Sequence, residues 1–137
     1  VITAVDTNVL LDVFGADPSF GERSREALRA CLSEGALIAC EIVWAEVGAG
    51  FPSPSAAEDA LNRLHVDFSP LDASSALAAG AAFGDYRRTG GARTRVVADF
   101  LIGAHARARA DRLLTRDRGY YRRFFRGLTI VDPSGAA

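Results

Sequence analysis

The sequence predicts an α/β domain of three layers, with helices on both faces of a central, mainly parallel sheet. Three observations predict it. Short apolar runs of three to five residues alternate with longer segments of helical periodicity. Strands that alternate with helices in this way imply a parallel sheet covered on both faces. The segments between them are long enough to hold the crossover helix that parallel strands need. With 137 residues, the chain suits one domain over residues 1–137, built on one core.

The elements follow in order. Residues 1–5 read as a buried strand ending at Asp6, and 9–14 as a short helix before a loop around Pro18. Over 22–33, Ala27, Leu28, Cys31 and Leu32 share one helical face, and Gly35 reads as the glycine that ends the helix. Residues 36–40 form a second strand. A helix over 42–49 is stopped by Gly50 and Pro52, and another covers 56–64. Residues 66–68 are strand-like. The alanine-rich segment 74–88 is a helix that stops at Gly90-Gly91. Residues 96–110 are apolar around much of the helix circumference, which places that helix centrally. A strand at 112–114, a short helix at 120–125 and a last strand at 129–131 complete the chain.

Hydrophobic residues make up 49% and charged residues 24%, the balance of a soluble globular domain. No apolar run approaches the roughly 18 residues that span a bilayer. No signal-type segment opens the chain. A cytoplasmic protein without membrane contact is expected. Cys31 and Cys40 lie outside any Cys-x-x-Cys pair and are expected to be buried, reduced thiols, since a zinc site needs about four ligands. All 16 basic residues are arginine. The absence of lysine excludes a Walker-type phosphate loop and Schiff-base chemistry. The net charge of −1 conceals an asymmetry: residues 87–126 hold twelve arginines and three acids, a net +9, and the remainder carries −10. The basic third is a candidate phosphate-binding surface.

In parallel sheets, ligands bind beyond the carboxyl ends of the strands. Asp6 directly follows the first strand, and Asp117 follows the 112–114 strand after Thr115 and Arg116. Two further acids interrupt apolar helices: Glu46 within Ile42–Val47 and Asp99 within Val96–Ile102. A buried lone carboxylate costs several kcal/mol unless it is paired or holds a metal. Carboxylates about 5 Å apart repel by roughly 3 kcal/mol per pair at an effective dielectric near 20. Four acids with few histidines suit a hard cation, Mg²⁺ or Mn²⁺, rather than zinc. Asn8, two residues beyond Asp6, is placed to orient its carboxylate, and Thr115 to orient a ligand.

The string Val5-Asp6-Thr7-Asn8-Val9-Leu10 resembles the opening motif of PIN domains. Asp99-Phe100-Leu101-Ile102-Gly103-Ala104-His105-Ala106 resembles their third motif and Leu114-Thr115-Arg116-Asp117 their fourth, with Glu46 where the second acid is expected. The motifs occur in the right order over essentially the whole chain, whose size is similar to that of VapC-type toxins. The resemblance implies a metal-dependent endoribonuclease with Asp6, Glu46, Asp99 and Asp117 as catalytic residues holding one or two Mg²⁺ or Mn²⁺ ions. It also implies an RNA substrate, a cognate antitoxin and a homodimer. On this reading, arginines grip the RNA backbone: Arg87, Arg88, Arg93 and Arg95 beside Gly90-Gly91, and Arg116, Arg118, Arg122 and Arg123 beyond Asp117. Glu41 competes with Glu46 but sits at a strand–helix junction, where capping or solvent exposure is expected. Asp12 is expected at the surface or behind the site, and His65 and His105 as structural or exposed. Tyr120, Tyr121, Phe124 and Phe125 are expected to pack rather than to stack on bases. A haloacid-dehalogenase-type phosphatase needs a second aspartate where Asn8 stands, and both it and a response-regulator receiver need a lysine. A housekeeping RNA-processing nuclease and a non-catalytic RNA-binding PIN domain remain open.

Overall fold

The computed structural model describes residues 1–90 and 96–135, apart from the side chain of Arg118. Five strands form one parallel sheet in the order β3-β2-β1-β4-β5. They are β1 (Ile2–Val5), β2 (Ala36–Ala39), β3 (Val66–Phe68), β4 (Arg112–Leu114) and β5 (Thr129–Val131). Helices α1 (Thr7–Phe14) and α2 (Gly21–Ser33) join β1 to β2. Helices α3 (Glu41–Gly48) and α4 (Pro54–Arg63) join β2 to β3, and α5 (Ala73–Arg88) and α6 (Val97–Arg109) precede β4. Helix α7 (Arg118–Phe124) precedes β5. All five strands fall where the apolar runs place them.

Thr3, Ala4 and Val5 are successive residues of β1 and all are buried. Successive strand side chains point to opposite faces, so the sheet is covered on both. The core runs through β1, β2, β4, α1, α3, α4 and α6, with Leu10, Leu37, Leu61, Phe100 and Leu113 fully enclosed. Helix α6 buries Phe100, Ile102, Gly103, Ala104, His105 and Ala106, as its apolar circumference requires. Tyr121 and Phe125 are also fully enclosed, and the Tyr120, Phe124 and Phe125 rings pack around Phe100. Tyr120, Phe124 and Phe125 serve packing. Among the described residues no helix is long and apolar enough to cross a membrane.

Helix boundaries differ from the periodicity by one or two residues where a cap decides them. Helix α1 begins at Thr7 because Asp6 is its N-cap, with Oδ1 accepting from the Thr7 amide at 2.7 Å. Helix α4 begins at Pro54 because the Ser53 hydroxyl accepts the Ala56 amide at 3.2 Å and proline suits the first turn. Gly90, at φ 71°, takes the left-handed turn that ends α5. Gly35 plays a different part from the one its position suggests. Its φ is not positive, and a Cβ there would fall 1.9 Å from the Val1 carbonyl oxygen. Glycine is required because the chain start passes against it, and that approach lets the Ala36 amide bond the Val1 carbonyl at 3.1 Å.

Candidate functional site

The strand order reverses at β1. The chain steps outward from β1 through β2 to β3, then returns to the far side of β1 as β4. The crevice between the carboxyl ends of β1 and β4 is therefore the switch point where such sheets bind ligands. Asp6 ends β1 there, and Thr115 leaves β4 beside it. The Asp6 amide donates to the Leu114 carbonyl at 3.0 Å, which fixes the two ends together.

Asp6 is 6% exposed, yet its carboxylate is richly served. Oδ1 accepts from the Thr7 amide at 2.7 Å. Oδ2 accepts from the Thr115 hydroxyl at 2.8 Å, with the Asn8 side-chain nitrogen at 3.4 Å. The Tyr121 hydroxyl, from α7, also donates to Asp6. Burial nevertheless pushes the Asp6 carboxyl up to about 6, with the hydrogen bonds from Thr115, Tyr121 and Thr7 opposing the shift and the charge of Asp99 adding to it. Tyr121 in turn is raised well above the ordinary phenol value, first by burial and then by the Asp6 charge.

Thr115 is fully buried, and all the hydrogen-bonding capacity of its hydroxyl is used. It donates to Asp6 and accepts from Asn8 Nδ2 at 3.3 Å and from the Asp117 amide at 3.0 Å. Asp117 sits at the N-cap position of α7 and is half-buried. Asp99, also half-buried, lies in the first turn of α6, where Oδ2 accepts the Val96 amide at 3.1 Å. Three of the four predicted acids thus stand at helix N-termini, whose partial positive charge tempers the repulsion between them. Glu46 is different. It is exposed rather than buried, so the desolvation argument that singled it out does not hold, and its Oε1 accepts from the Thr7 hydroxyl at 2.7 Å. Thr7 thereby links it to Asp6.

The Glu46 carboxylate shares Thr7 with Asp6, Asp117 reaches Thr115 through its backbone amide, and Asp99 acts on Asp6 through its charge. They do not form a ready-made cage. Among the described residues, no three His, Cys, Asp or Glu side chains converge closely enough to hold a metal ion. The donors present are carboxylate and hydroxyl oxygens around a buried carboxylate of raised pKa, and that chemistry fits an oxygen-seeking divalent cation.

The expected arginine grip divides. Arg122 and Arg123 are exposed on α7, with Arg123 lying over the Phe124 ring. Arg87 and Arg88 are exposed at the end of α5, where Arg87 lies over Phe83 and Arg88 pairs with Asp85. Arg93, Arg95 and the Arg118 side chain lie outside the described residues. Arg116 departs from expectation. Its Nε and Nη2 donate to the two carboxylate oxygens of Asp12 at 2.7 and 3.0 Å, and its guanidinium lies 4.1 Å over the Phe20 ring. That pairing gives Arg116 a partner within the protein. Asp12 is correspondingly not a surface residue: it is 4% exposed and also accepts from the Ser24 hydroxyl. Sequence reasoning missed Thr7, Tyr121 and the Asp12–Arg116 pair. Asp12 carries the same signal as Glu46, an acid among Val9, Leu10, Leu11 and Val13, whereas Tyr121 carries only that of a packing aromatic. Glu41 accepts the Leu71 amide at 2.9 Å, and His105 is buried against Ser69.

A family model for the PIN domain matches residues 3–124. The chain belongs to the PIN domain family. Solved structures with the same fold include VapBC2 of Rickettsia felis bound to a promoter DNA fragment, at a TM-score of 0.75 and 17% identity over 96% of this chain and 98% of that one. VapBC-1 of nontypeable Haemophilus influenzae matches at 0.72 and 19% over 98% and 99%. DNA-bound VapBC of Salmonella typhimurium matches at 0.72 and 18% over 97% and 98%. At these identities the likeness concerns the fold. A search of curated protein sequences found no match.

Proposed function

We propose that this protein is a divalent-metal-dependent endoribonuclease and the toxin member of a toxin–antitoxin pair. The observation that carries the reading is the buried Asp6 at the β1/β4 crevice of a PIN fold, held by Thr7 and Thr115, which also bond the Glu46 carboxylate and the Asp117 backbone amide. The toxin role is supported by likeness to the VapBC structures. It brings with it an antitoxin partner, a homodimer and a cytoplasmic setting.

Asp6, Glu46, Asp99 and Asp117 would hold the cation, Mg²⁺ or Mn²⁺. When bound, such an ion stabilises negative charge on a phosphodiester and makes water more acidic. The chain's own residues supply the rest. Thr115, Asn8 and Tyr121 orient Asp6, and its burial strengthens every electrostatic interaction at the crevice. The exposed Arg122 and Arg123, on the helix that Asp117 begins, would supply cations to an RNA backbone.

The test is cleavage of a labelled structured RNA by purified protein with millimolar Mg²⁺, with Mn²⁺ and with chelator. Metal-dependent cleavage that disappears in Asp6→Asn and Asp99→Asn is the expected result. The same titration followed by thermal melting should raise the wild-type melting temperature and not that of Asp6→Asn. Cleavage that persists in chelator, or in Asp6→Asn, overturns the proposal.

A further inference from the structure

We propose that Arg116 is a positioning residue rather than an RNA ligand: paired with Asp12, it locks the Thr115–Asp117 segment onto α1. The inference rests on the nuclease reading for its functional consequence and on geometry alone for the lock itself.

Asp12 lies almost wholly out of solvent, where a carboxylate needs full compensation. It has it. Oδ2 accepts from Arg116 Nε at 2.7 Å and Ser24 Oγ at 2.8 Å, and Oδ1 from Arg116 Nη2 at 3.0 Å. The guanidinium is held by its edge in this fork and by its face against Phe20 at 4.1 Å. Lysine, a point charge with no planar face, could reproduce neither constraint.

The lock has two rungs. Asn8 and Asp12 are four residues apart in α1 and so lie on one face of it. Asn8 Oδ1 accepts the Arg116 amide at 3.3 Å, and Asp12 takes the Arg116 side chain. Between the rungs, the Thr115 hydroxyl bonds Asp6 and Asn8, and the Asp117 amide bonds Thr115. The relative placement of Asp6 and Asp117 is therefore set by a clamp whose outer member is a partly buried ion pair about one helical turn from Asn8.

The experiment uses Asp12→Asn, Arg116→Lys and the double variant of the full chain. In the metal-free protein, amide hydrogen exchange is followed at Arg116 and Asp117. Each single variant should lose tenfold or more of the protection at those two amides while the β1–β4 ladder keeps its own. In RNA cleavage, each should lower kcat at least tenfold with KM and the salt dependence of binding unchanged, and the double variant should be no worse than either single one. Should Asp12→Asn fail to fold, Arg116→Lys carries both measurements. Unchanged exchange at both amides overturns the lock. A raised KM and flattened salt slope in Arg116→Lys, with Asp12→Asn behaving as wild type, overturns the positioning role in favour of phosphate binding. Failure of the nuclease reading itself would show as absent cleavage by the wild type, with the exchange measurement still deciding the lock.

Discussion

The Thr115 hydroxyl donates to Asp6 Oδ2 at 2.8 Å across the crevice between β1 and β4, joining residues 109 positions apart. The same oxygen accepts from Asn8 and from the Asp117 amide. Thr115→Val keeps the shape and removes all three bonds. It is expected to cost about 1–3 kcal/mol in denaturant unfolding, since a buried carboxylate loses a donor and two N–H groups lose an acceptor. RNA cleavage should fall at least tenfold. Wild-type stability in Thr115→Val would make the hydroxyl network incidental.

Asp6 is expected to act against stability. Its folded pKa of about 6 lies above the ordinary carboxyl value of 3.8. Between those values the folded state holds a proton that the unfolded state has released. The contribution of Asp6 to stability therefore declines as pH rises from about 4 to 6, and above that range its ionised form costs roughly 3 kcal/mol at most in metal-free protein. Asp6→Asn should melt higher than wild type at pH 7.5 in chelator, while losing cleavage. A lower melting temperature would show that its hydrogen bonds outweigh its burial.

His105 predicts a slope of opposite sign. Burial holds its pKa below the ordinary 6.5, with Arg109 assisting and Glu41 opposing. As pH falls below about 6.5, the unfolded state takes up the proton first and stability drops. The difference between wild type and His105→Gln, measured by denaturant unfolding from pH 7.5 to 5, isolates this effect from that of Asp6. A difference constant with pH would mean that His105 titrates alike in both states.

Gly103 faces Phe125 so closely that an added Cβ would fall 2.4 Å from the ring. Phe125 is fully buried and cannot swing away. Gly103→Ala is expected to destabilise by about 1–3 kcal/mol through overpacking, a loss readable as a lower denaturation midpoint. An unchanged midpoint would mean that α6 can shift away from α7.

Arg122 and Arg123 are exposed on α7. If they meet RNA phosphates, replacing both with alanine should reduce the slope of log K against log salt by about 0.7 for each phosphate no longer neutralised. Filter binding of single-stranded RNA across a salt titration reads it. An unaltered slope would assign the pair to the solvated surface.

The order of elements was open to local pattern. Short, largely apolar segments mark all five strands; Asp6 directly follows β1, and Asp117 follows β4 after Thr115 and Arg116. The composition alone excludes chemistry that needs lysine. Asp99 could be placed in the first turn of its helix from the apolar stretch that follows it. Glu46 was found by the same reasoning for the wrong cause, since the helix around it is apolar but its own side chain is exposed.

Tertiary structure decided everything that depends on which strands are neighbours. Nothing local says that β4 returns to the side of β1 opposite β2, yet that crossing brings Thr115 to Asp6. It also turns Arg116 from a cation facing solvent into the partner of a buried Asp12, and makes Gly35 a point of close backbone approach rather than a left-handed cap. Side-chain periodicity records whether a residue faces inward, because burial acts on each residue by itself. It does not record what the residue meets there, because partners far apart in sequence are chosen by the packing of the whole sheet.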